Sequence, residues 1–182
     1  MISLNNSILI IVVLLSLVSC KEKRPDTIVP EPDEPVFTTE QSIEMSQHWS
    51  KDEFYIIDQF VKRNNWPIQV SGTGIRYYIY EQGKGEAATP GRVAIVNFEI
   101  RLLDADTTLC YSSNPEQPSE FLIDMDNVES GLHEAITYLK EGDKAYIILP
   151  HYLAHGLLGD MDKIPPLSPV LYDIELISLK DV

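Results

Sequence analysis

Residues 91–107, GRVAIVNFEIRLLDADT, alternate in character along their length. Ala94, Val96, Phe98 and Ile100 fall on one side, and Val93, Ile95, Asn97 and Glu99 on the other. Side chains in a strand point to opposite faces in turn, so this pattern predicts a long strand with one face buried. The Asp104-Ala105-Asp106 turn ends it. A second run, Val170 to Leu179, interleaves Asp173 and Glu175 with Val, Leu, Tyr and Ile, and reads as its counterpart. Shorter strands are expected within Gly74–Gly85, around Leu109–Ser112 and Glu120–Ile123, and over Tyr146–Leu149. Only one helical period interrupts them late in the chain: Leu132, Ile136 and Leu139, with Ser130 placed to cap the start and Gly142 at the C′ position. That helix should be about ten residues long, a little under three turns. Many strands with one short helix place the fold in the α+β class, built on an antiparallel sheet.

Ahead of the sheet, Ser50-Lys51-Asp52-Glu53 has the form of a capping box. Phe54, Ile57, Phe60 and Val61 then share one helical face, which predicts a helix to about Asn64 or Asn65 whose apolar stripe docks on a sheet or a partner. Residues 41–73 are thus an N-terminal helical extension of a domain spanning 74–182. Residues 20–40, rich in Pro and charge, read as a flexible tether. Residues 1–19 read as a signal peptide: the apolar run Ile8–Val18 falls short of the roughly 20 residues that span a bilayer. They lead into Leu17-Val18-Ser19-Cys20, which is similar to the bacterial lipoprotein cleavage box and makes Cys20 the lipidated N-terminus. Cys110 is then the remaining cysteine, expected as a small buried hydrophobe. A formal net charge of −14 argues against nucleic acid, which demands a basic footprint. It also leaves the lipid, rather than the protein surface, to hold an anionic membrane.

The segment between Leu149 and Val170 is long for a connection, and long ordered loops are usually binding loops. His151 and His155 stand four apart, a spacing that suits two zinc ligands on a helix, but the intervening residues lack the Glu of a metalloprotease. Asp160 and Asp162 lack the glycine and closing Glu of a calcium loop, which leaves a polar loop tip. His133 reads as a solvated helix residue.

VESGLHEAITYLKEGDKAYIILP, then LAHG, then IPPLSPVLYDIEL, together with the upstream VAIVNFEI and CYSS, resemble the FKBP-type peptidyl-prolyl cis-trans isomerases over roughly Gly74 to Leu179. Within that family, the lipoprotein-like N-terminus, the helix after Ser50 and GLLGDMDKIPP look closest to the gliding-motility-associated lipoproteins. The resemblance implies an antiparallel sheet wrapped around the short helix, with an apolar pocket between them for a proline ring. It places Phe98 on an aromatic wall, Val128 on the rim, Ile164 on the overhanging loop and Tyr172 on the far wall. Leu132 stands where the family has a pocket-floor Trp, and Glu129 where it has a rim Ile. Ser119 replaces an aromatic, Tyr111 falls on the family's pocket Asp, and His155 on its loop Tyr. These positions imply an isomerase of X-Pro bonds that needs no cofactor, has proline-containing polypeptides as partners, and is anchored by lipid in the cell envelope. The altered pocket residues equally suit a non-catalytic binding or scaffold module of an envelope complex.

Overall fold

The computed structural model describes residues 38–182. The expected signal peptide, Cys20 and nearly all of the expected tether lie outside them. Thr39 and Glu40, read as tether, belong instead to the first helix, α1, which runs Thr39–Asn64. The capping-box reading of Ser50–Glu53 is therefore corrected: these residues lie in mid-helix, where no orphan amides need a cap. The first turns carry no apolar stripe, so the helical period starts well after the helix does. Ile43 there is exposed. Beyond the stripe the expectation holds, since Ile57 and Phe60 are buried and the helix ends at Asn64, with Asn65 in the left-handed region at φ 53°.

The strands follow as β1 (Gln69–Val70), β2 (Arg76–Glu81), β3 (Val93–Leu102), β4 (Leu109–Ser112) and β5 (Ser119–Leu122). Helix α2 (Ser130–Ile136), β6 (Lys144–Leu149), a 3-10 turn (His151–Leu153) and β7 (Val170–Lys180) complete the chain. All pairs are antiparallel, in the order β1-β2-β6-β7-β3-β4, and β5 also pairs with β3. Strand β3 therefore carries β7 along one edge, while its other edge is shared by β5 at Val93–Val96 and β4 at Glu99–Arg101.

Helix α2 is shorter than its sequence period suggests. Glu129, not Ser130, occupies the N-cap, and the helix stops at Thr137. Gly142 is not its C′ residue. At φ 87° it shapes the turn into β6, and its amide donates to the Leu176 carbonyl at 2.7 Å. The buried Asp143 holds the same turn by accepting the amides of Gly83 at 2.6 Å and Lys140 at 2.7 Å.

Two layers pack on opposite faces of the sheet. Leu132, Ala135 and Ile136 of α2 join Ala94, Val96 and Ile100 of β3, Ile147 of β6, and Tyr172, Ile174 and Leu176 of β7. On the other face, Ile57 and Phe60 of α1 meet Ile148 and Leu171, with Trp66 stacked on Tyr146 at 4.2 Å between ring centroids. The alternation of β6 and β7 thus serves both layers, which is why neither strand shows a polar face along its whole length.

Candidate functional site

Where β3 changes neighbours, from β5 to β4, its backbone at Phe98 loses a regular partner. Ser113 closes the gap: its amide donates to the Phe98 carbonyl and its Oγ accepts the Phe98 amide, each at 2.9 Å. A cavity of about 580 Å³ lies here, lined by residues of β3, β5, β7 and α2. Phe98, Val128, Leu132, His155 and Tyr172, all expected at the site, line it together. The Phe98 and Tyr172 rings stand 6.1 Å apart at 50°, forming two walls of an angled slot. Leu132, brought in by the first turn of α2, lies beneath.

One end of the slot is polar. Glu129 and His155 face each other there, with His155 Nε2 3.0 Å from Glu129 Oε1, close enough for attraction though not aligned as a hydrogen bond. Burial pushes the Tyr172 hydroxyl well above its ordinary range, and the neighbouring Glu129 carboxylate pushes it further. Tyr172 therefore stays a neutral hydroxyl in the cavity wall. Ser119 lines the opposite side.

Tyr111 and Ile164 do not line the cavity. Tyr111 lies across from Ile100 in the β3–β4 pair, but its hydroxyl reaches Asp160 in the long loop. Lys163 covers the same ring at 4.6 Å and donates to the Cys110 carbonyl at 2.9 Å. Ile164 is buried beneath that loop, in the core, with its amide held by Asp160 Oδ1 at 2.8 Å. Asp160 is consequently more than a polar tip: it accepts the Asp162 and Ile164 amides and donates its own amide to the Ile164 carbonyl at 3.1 Å. Gly159, at φ 67°, permits this closure, because a Cβ there would stand 2.1 Å from the Ile164 carbonyl oxygen.

The histidines also separate. His151 is buried and turned toward Glu53 of α1, away from His155, so the two do not converge as a ligand pair. His133 is not simply solvated. Its Nδ1 accepts the Asp124 amide at 2.9 Å and its Nε2 donates to the Asp126 carbonyl at 3.0 Å, bracing the loop that enters α2. Cys110 is buried, and that burial raises its thiol, so it stays an unreactive apolar neighbour.

A family model described as FKBP-type peptidyl-prolyl cis-trans isomerase matches residues 84–177, more than half of the chain. The FKBP-type peptidyl-prolyl cis-trans isomerase FkpA of Escherichia coli (strain K12) is 29% identical over 123 residues, covering 68% of this chain and 43% of that protein. The peptidyl-prolyl cis-trans isomerase Mip of Coxiella burnetii (strain RSA 493 / Nine Mile phase I) is 30% identical over 118 residues, covering 65% of this chain and 50% of that one. The crystal structure of FkpA from Escherichia coli superimposes with a TM-score of 0.62 at 28% identity, over 78% of this chain and 65% of that chain. The chain thus spans half or less of the length of these two curated relatives.

Proposed function

Because the chain belongs to the FKBP-type peptidyl-prolyl cis-trans isomerase family, we propose that it isomerises X-Pro bonds in exported polypeptides while anchored by lipid in the cell envelope. Rotation about an amide crosses a barrier of roughly 18–20 kcal/mol because twisting ends its resonance. The planar amide has the greater charge separation, so an apolar wall disfavours it relative to the twisted form. Each ~1.4 kcal/mol of that difference speeds the reaction about tenfold. The observation that carries this reading is the slot between Phe98 and Tyr172, floored by Leu132, which presents carbon on three sides to a proline ring. No nucleophile, metal or proton transfer is required of these residues. Val128 supports the rim, and the Tyr172 hydroxyl is engaged by Glu129 at the polar end of the slot.

Exchange spectroscopy on an X-Pro peptide tests the proposal. Uncatalysed isomerisation takes tens to hundreds of seconds, so cross-peaks between the two isomers on a sub-second mixing time are expected only with the protein present. A peptide that binds in the slot without exchanging would favour a binding module instead. The Glu129–His155 pair at the cavity's edge supports that second reading, since it puts polar groups at one end of a slot that would otherwise present only carbon.

A further inference from the structure

The loop over the cavity is gripped from outside by residues upstream of the family match at 84–177. Glu53, midway along α1, is only 4% exposed. Its Oε1 accepts the His151 amide at 2.5 Å, and its Oε2 lies 2.9 Å from His151 Nδ1, a side chain itself nearly buried. His151 opens the 3-10 turn, and the residues just past that turn, Ala154 and His155, line the cavity. Next to it, the Tyr152 hydroxyl donates to the Thr73 carbonyl at 2.8 Å. Thr73 Oγ1 in turn donates to Glu134 Oε1 at 2.6 Å, on the helix that supplies Leu132. From the inner side the turn is pressed on Gly131, where a Cβ would stand 2.7 Å from the Leu153 carbonyl oxygen.

A buried carboxylate is costly unless hydrogen bonds replace its water, and Glu53 spends both oxygens on one loop residue. Loops left to themselves are the mobile parts of a domain. This one begins under two bonds from α1 and a third from residue 73. We propose that Glu53 is a positioning residue of the isomerase site: through His151 it sets where Ala154 and His155 stand in the cavity. Helix α1 is then part of the active-site scaffold rather than a spacer. For its effect on turnover the inference rests on the isomerase reading. For its effect on loop position it does not.

The test uses the full chain with Glu53→Ala, Glu53→Gln and Tyr152→Phe, read by amide chemical shifts, X-Pro exchange rate and cooperative unfolding. Glu53→Ala is expected to displace the signals of residues 154–156, leave those of residues 94–97 in place, and lower kcat/KM by about tenfold to a hundredfold, the scale of a small misplacement at an active site. Glu53→Gln should recover most of both, because its amide oxygen still accepts the His151 N–H and its NH2 can donate to Nδ1 in the other imidazole tautomer. If Glu53→Ala does not fold, Tyr152→Phe decides. It removes one partly exposed bond, and should displace the same signals with a roughly threefold loss, the scale of one neutral hydrogen bond. A folded Glu53→Ala protein with parental loop signals and turnover would overturn the inference. So would a Gln variant as impaired as the Ala variant, or a Tyr152→Phe protein unchanged where that variant decides. Should the parent itself show no turnover, the isomerase reading fails alone, and the loop signals with the affinity for the peptide still decide the positioning role.

Discussion

The Tyr111 hydroxyl donates to Asp160 Oδ2 at 2.5 Å, tying strand β4 to the loop that overhangs the cavity. The other Asp160 oxygen holds the Asp162 and Ile164 amides, so one carboxylate joins three points of the chain. Tyr111→Phe should leave the sheet intact but free the loop. Amide hydrogen exchange at Asp162 and Ile164 is expected to quicken, while that of Ala94 and Val96 stays slow. Unchanged exchange at Ile164 would mean that Asp160 and the backbone bonds hold the loop without Tyr111.

Asp160 also carries a pH dependence. Burial raises its carboxyl, but the hydrogen bonds from Tyr111 and from the Asp162 and Ile164 amides outweigh that and bring it down from 3.8 to about 2. A folded-state pKa below the unfolded one stabilises fully above the unfolded value and is lost as pH falls through the folded value. Parent and Asp160→Asn are therefore expected to differ in urea midpoint near neutral pH and to converge as pH falls from about 4 toward 2. A gap that stays constant across this window would assign the acid sensitivity to other carboxylates.

The slot itself is tested at Phe98 and Leu132. Phe98 is half-buried, so Phe98→Ala should remove a wall without collapsing the core, and cost about tenfold or more in exchange rate. Leu leaves a proline ring less well covered than a broad indole, by ~1–2 kcal/mol of contact. Leu132→Trp is accordingly expected to raise the rate several-fold. Tyr172 is only 2% exposed and central in the sheet, so Tyr172→Ala would cost about 3–5 kcal/mol of stability. Tyr172→Phe removes the hydroxyl alone and is the informative change. Parental turnover by a folded Phe98→Ala protein would show that the slot is not the active site.

The proposed anchor, Cys20, lies outside the described residues. In the proposed lipoprotein, Cys20→Ala should move the protein from the membrane to the soluble fraction while its thermal unfolding stays parental, since a single acylated residue supplies the attachment. Continued recovery with membranes would point to another segment as the anchor.

The strands and α2 were legible because the signals for them are local. Period-two alternation in 93–100 and 170–179 can satisfy only one arrangement of faces, and a one-residue slip would expose the core. Phe98, Val128, Leu132 and Tyr172 were expected at a pocket only through the family resemblance, and the structure brings all four to line one cavity. Helix ends were less legible. The first turns of α1 carry no apolar stripe, and α2 stops once its three core contacts are made, although Leu139 continues the period as part of a turn. What tertiary structure alone decided are the polar pairings. Glu53 and His151 lie 98 positions apart, and Tyr111 and Asp160 lie 49 apart. Glu53 has the local form of a cap, and the family resemblance placed Tyr111 at the pocket. Each took a different role because folding brought it beside a partner, and for the buried Glu53 an unpaired polar group would cost more than any local preference supplies.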